Sequence, residues 1–205
     1  MVAANIQVTQ GAGTRLATSS YTEGGVTVHD EKVIFGEPYL PTFASSSLNA
    51  PIGAVAGAHI FQVMAGGALN VYIRRIVVTQ SALSTTAGII ALAVVRLTSA
   101  GTGGNVRPVS AFDTGDAPTS SAMTAPTVFG TEGAELWRGY CQTIQTVYTG
   151  GPDNSTVLFD LDFDRFRTKG IRIPAGTANG MAFKTLSTSS GTGVNVWVLL
   201  SEASF

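Results

Sequence analysis

Short runs of Val, Ile, Thr, Phe and Tyr, each closed off by Gly, Pro, Asn or Ser, recur along the whole chain. No three-turn helical pattern interrupts them. The nearest approach to a helix is 134–148. There Gly139 and the β-branched Thr143, Ile144, Thr146 and Val147 favour extended backbone instead. A chain built this way buries strand faces, so the expected fold class is all-β.

The spacing inside the runs says how those strands pack. Leu69, Val71 and Ile73 alternate with Asn70, Tyr72 and Arg74, and the apolar set then resumes one position late at Ile76 and Val78. A period-2 pattern that slips at Arg74-Arg75 predicts a β-bulge. The run 89–97 is apolar on both faces, as in a central strand. Val194, Val196, Val198 and Leu200 face one way and Asn195, Trp197 and Leu199 the other. Further strands are expected at 60–64, 135–148, 156–163, 171–174 and 181–186, and 111–126 reads as a long loop. From residue 58 this makes about eight strands with loops of uneven length, the pattern of a jelly-roll-like two-sheet β-sandwich. No repeat of fixed period points to a propeller or solenoid.

Residues 1–57 differ from this body. Short strands are expected at 5–10 and 25–35. From Pro38 to Ile73 there is no Lys, Arg, Asp or Glu. Pro38 and Pro41 hold their surroundings extended. We read 1–57 as an extended N-terminal arm and 58–205 as the sandwich. Tyr39, Leu40, Phe43 and Leu48 are the arm's apolar anchors, which must dock on the body of the chain or on a neighbour.

Charge bounds the function. Only 12% of residues are charged, with 12 Lys and Arg against 13 Asp and Glu, a net charge of −1. That is about half the usual charged share. The near balance excludes an electrostatically driven nucleic-acid binder, and 44% hydrophobic residues exclude an acidic disordered chain. A surface this poor in charge fits one covered by copies of itself or by a partner. Lys (only 32, 169 and 184) is rarer than Arg, the bias seen at interfaces. Arg74, Arg75, Trp137 and Tyr140 are therefore the candidate oligomer-interface residues. The charge-free window 76–95 is too polar at its centre to span a membrane. The N-terminus lacks the pattern of a secretory leader.

Chemical motifs are few. Asp160, Asp162 and Asp164 alternate along one strand, with Leu161 and Phe163 on the other face. An EF-hand would need Gly and Glu where Arg165 and Ile171 stand. The cluster reads as an ion-paired strand neutralised by Arg165, Arg167 and Arg172, with a metal site as the lesser alternative. His29 and His59 lack ligands at metal spacing, and the single Cys141 reads as a packed side chain. Neither Gly-x-Ser-x-Gly nor a phosphate loop is present. No cofactor or catalytic residue is expected.

The stretch Val8-Thr9-Gln10-Gly11-Ala12-Gly13-Thr14-Arg15-Leu16-Ala17-Thr18, followed by Gly24-Gly25-Val26, resembles the start of small virion proteins of tailed bacteriophages. Ile73-Arg74-Arg75-Ile76, Gly130-Thr131-Glu132-Gly133, Phe159 to Asp164 and Ile173-Pro174-Ala175-Gly176-Thr177 fit the same style. The resemblance implies a structural protein of the particle, most like a capsid decoration (cement) protein. Such a protein is made in the host bacterial cytoplasm and sits on the capsid surface. It forms a homotrimer and binds the major capsid protein, without nucleic acid or membrane. An alternative is a tail, baseplate or head-fibre protein whose sandwich binds host glycans through aromatics near Trp137 and Tyr140. A depolymerase would need a carboxylate pair drawn from Asp113, Asp116, Glu132 and Glu135.

Overall fold

The structure, a computed structural model, describes residues 18–23, 26–31, 40–47, 50–51, 56–80, 88–142, 156–163, 165, 170–187 and 193–204. Every regular element among them is a strand. The chain divides between Tyr39 and Leu40 into two units. In the first, β1 (Thr18–Glu23) pairs antiparallel with β2 (Val26–Glu31), Tyr21 opposite Val28.

Among the described residues the second unit holds thirteen strands. They are β3 (Thr42–Ser46), β4 (Ala50–Pro51), β5 (His59–Met64), β6 (Asn70–Gln80), β7 (Ile89–Leu97), β8 (Asn105–Arg107), β9 (Ser110–Ala111), β10 (Ser121–Thr124), β11 (Glu132–Gln142), β12 (Thr156–Asp162), β13 (Ile171–Ile173), β14 (Gly180–Thr185) and β15 (Gly193–Ala203). One sheet runs β12-β6-β15-β3-β9, with β13 also on β6 and β4 on β15. The other runs β11-β7-β14-β5-β10-β8. Every pairing is antiparallel.

Alternation puts one face of each sheet into a shared core. The β6 sheet contributes Phe43, Val71, Ile73, Ile76, Val78, Val194, Val196, Val198 and Leu200. The β7 sheet answers with Phe61, Val63, Ile90, Leu92, Val94, Met181 and Phe183. The bulge stands where the apolar phase slips: Ile73 faces Leu200 and Arg75 faces Leu199, leaving Arg74 as the extra residue. It lets Val71 and Ile73 point inward before the slip and Ile76 and Val78 after it.

Two expectations change. Residues 42–46, read as part of an extended arm, are a strand of the body paired with both β15 and β9. Extended backbone was the right reading, but its partner lies within the same chain. Phe43 is completely buried, and the inward Ser45 and Ser47 are satisfied, Ser45 Oγ donating to the Pro108 carbonyl and Ser47 Oγ accepting from Val196 N–H. Within 111–126 the chain also forms β10.

Two devices finish the sandwich. On one side, where β11 and β12 end their sheets, Trp137 stacks on Phe159 with ring centroids 4.1 Å apart. The indole lies over Gly139, where a Cβ would collide with the ring. On the β7 sheet's outer face, segments 98–104 and 125–131 form a flap, joined by Thr98 N–H to Thr131 O and by reciprocal bonds between Thr102 and Val128. The buried Gln62 amide pins it, donating to the Gly101 carbonyl at 3.2 Å and accepting from Gly101 N–H at 3.1 Å. Gly101 has no room for a side chain between Gln62 and the Val128 carbonyl.

Gly139→Val displaces the indole and is expected to cost about 2 kcal/mol or more. Phe43→Ala, which opens a cavity between the sheets, costs about 4 kcal/mol. Urea unfolding followed by tryptophan fluorescence measures both. A neutral Phe43→Ala would mean that this ring does not belong to the body's core.

Candidate interaction surface

The predicted anchor and interface residues separate into three groups. Phe43 is spent inside the body, and Leu40 is half-buried beside it in sequence. Tyr39 and Leu48 lie outside the described residues, as do Asp164, Arg167 and the side chain of His29. Among the interface candidates, Trp137 turns onto Phe159 and is partly buried against the core. Arg75 is held within the chain by a bidentate pair, Nε to Asp160 Oδ1 at 2.8 Å and Nη2 to Oδ2 at 2.6 Å. Arg74 is half-buried at the bulge. Tyr140 alone among them is well exposed, at 71%.

The Asp160 pairing corrects the expected partners. Asp160 sits opposite Val77 and Asp162 opposite Arg75 on β6. The principal neutralising cation is Arg75, across the strand pair, whose hydrogen bond holds the Asp160 carboxyl below the ordinary range, and the charge of the expected Arg165 adds to it. Asp162 accepts from the Arg165 backbone N–H, and Arg172 binds Asn70 instead. Among the described residues no three His, Cys, Asp or Glu side chains gather as metal ligands do.

Beneath the flap lies a polar cluster that sequence spacing did not reveal. His59 is buried and stacked against Phe129, ring centroids 5.0 Å apart. Its Nε2 is 2.9 Å from Glu132 Oε1, and Lys184 Nζ donates to Glu132 Oε2. The carboxylate selects the tautomer, with the proton on Nε2. Nδ1 is buried with no hydrogen-bond partner among the described residues. Burial pushes the Glu132 carboxyl up, but the Lys184 and His59 hydrogen bonds outweigh it and the net shift is downward. Chemically the cluster holds the Glu132 carboxylate between the Lys184 ammonium and the His59 Nε2–H and ties β11 to β5 and β14. Two other carboxylates of 113–135 are also engaged. Glu135 is gripped by Arg138, and Asp113 Oδ1 accepts from Gly115 N–H in a turn. Cys141 is buried, which pushes its thiol up and away from the reactive thiolate.

A second buried carboxylate has hydroxyl and amide partners in place of a cation. Glu202, 1% exposed, accepts from the backbone N–H and hydroxyl of Thr119 and of Ser120, at 2.6 to 3.1 Å. These bonds lash the 112–120 segment to β15. Burial raises the Glu202 carboxyl, and the four donors outweigh it, so the net shift is downward.

Large apolar side chains reach the surface at two opposite sides. Tyr140, Ile89 and Val157 stand toward the β11 and β12 edges, and Val106 and Phe112 toward the β8 and β9 edges. Val128 and Phe129 lie on the flap. Compared with protein-family models, with curated proteins and with solved structures, the chain matches none.

Glu202's lowered carboxyl has a stability consequence with a definite sign. Its contribution is complete above the ordinary value of 4.5 and fades as pH falls through the lower folded value. Glu202→Ala, which leaves buried donors unmet, is expected to cost about 3 kcal/mol at neutral pH. Glu202→Gln flattens the acid limb of stability against pH, as urea unfolding between neutral and acidic pH will show. An unchanged acid limb would mean that Glu202 does not control it.

Proposed function

We propose that this chain is a structural protein of a tailed-bacteriophage particle that self-associates, binds the outside of the capsid lattice and stabilises it. The observation that carries the reading is the order of the eight main strands. Taken along the chain they are β3, β5, β6, β7, β11, β12, β14 and β15. The first, eighth, third and sixth make one sheet, and the second, seventh, fourth and fifth the other. We read this order as a jelly roll, an architecture that recurs in viral capsid domains. The same architecture serves other functions. The resemblance of several segments to phage virion proteins narrows the choice. So does a surface with apolar residues on both lateral sides and only 12% charge in the chain.

Such a protein works through many weak copies of one contact. Symmetric multiplication supplies avidity. Binding the closed lattice in preference to free subunits stabilises it by mass action. We assign the arm's role to the region before Leu40, where the second unit begins.

Electron microscopy of particles carrying a tagged copy tests the reading. Density over the shell, at a copy number matching the shell subunits, is expected. Density at the tail alone would favour the glycan-binding alternative. Deleting residues 1–39 is expected to abolish particle binding while the remainder still unfolds cooperatively. Full occupancy by the truncated chain would overturn the arm's role.

A further inference from the structure

We propose that the self-association runs through β11, whose free edge pairs antiparallel with β11 of a second copy, about a twofold axis between Leu136 and Trp137. The inference rests on the self-associating reading above and names its surface. Among the described residues β11 ends its sheet and is 11 residues long, whereas the edges on the opposite side, β8 and β9, have three and two. Its residues 132–135, 138, 140 and 142 are exposed. An open strand edge carries unpaired amides and carbonyls, and adding a strand satisfies them without any special side chain. Gly133, Ala134 and Leu136 have no opposite residue on β7.

The side chains choose the occupant and the register. Glu135 lies opposite Val95 and Arg138 opposite Ala93, on the face turned away from the core. Within one copy they form a bidentate pair at 2.9 and 2.8 Å, with side chains 37% and 52% exposed. With the axis between Leu136 and Trp137, Glu135 stands opposite the partner's Arg138, and Arg138 opposite the partner's Glu135. The forked pair can then exchange between strands without stranding a charge. Registers that set Glu135 or Arg138 opposite its own copy stack like charges, which disfavours them. A second copy of this chain therefore supplies the charge complement that the edge requires.

The test uses the full chain, with mass read by sedimentation velocity over a range of concentrations. The wild type is expected to form dimers or even multiples. Arg138→Glu makes both positions acidic and Glu135→Arg makes both basic. Each variant alone is expected to weaken self-association by at least about tenfold. Mixed in equal amounts they are expected to form a one-to-one heterodimer, because each strand then faces its opposite charge. Neither variant regains its own internal pair in that mixture, so recovery reports contact between copies. Circular dichroism and thermal melting establish that both variants are folded. A trimeric wild type, variants that associate like the wild type, or a mixture that stays monomeric would each overturn β11 pairing. They would leave self-association through another surface standing. A wild type that is monomeric at every concentration would overturn both.

Discussion

Everything in this fold hangs on contact between the inner faces of two antiparallel sheets. Valines and isoleucines from β6 and β15 meet phenylalanines, leucine and methionine from β5, β7 and β14, and these residues are almost wholly withdrawn from solvent. Apolar burial is the dominant favourable term in folding and scales with the area removed from water. Strand alternation directs that area to one side of each sheet. The bulge at Arg74 follows from this demand. In β6 the apolar residues change phase after Ile73, and the bulge keeps Val71, Ile73, Ile76 and Val78 all on the core.

The remaining features deal with what such a core leaves open. An open two-layer sheet has a gap at each side, and Trp137 on Phe159 fills one of them. The β7 sheet also carries apolar residues on its outer face, where Met64, Val95, Leu97 and Ala182 are buried. The flap lies against that sheet and is held by polar groups: Gln62 on Gly101, and Glu132 shared between His59 and Lys184. Burying such groups costs free energy unless each finds a partner. Their pairing therefore fixes where the flap lies more narrowly than apolar contact would.

What could be read from the sequence follows from the same physics. β6, β7, β14 and β15 were legible because they bury large apolar residues at regular spacing, and the phase slip at Arg74 was visible for the same reason. β3 was not recognised as a body strand because two of its inward residues, Ser45 and the adjoining Ser47, are polar. Their partners, Pro108 and Val196, are far away in sequence. The same distance hid the polar clusters. His59 lies 73 residues from Glu132, and Glu202 lies more than 80 from Thr119 and Ser120. In a strand pattern a lone carboxylate reads as solvent-facing, so Glu202 gave no sign of its burial. Asp160 showed its need for a cation, yet its cation came across the strand pair from Arg75.

The unequal lengths of the terminal strands give the molecule a built-in polarity. β8 and β9 offer three and two residues, too little to template a neighbour, while β11 and β12 offer 11 and seven. An endless fibre needs an adhesive flank at both ends of every link. With one flank blunted, the β11 pairing proposed above would close after a single joining event instead of propagating.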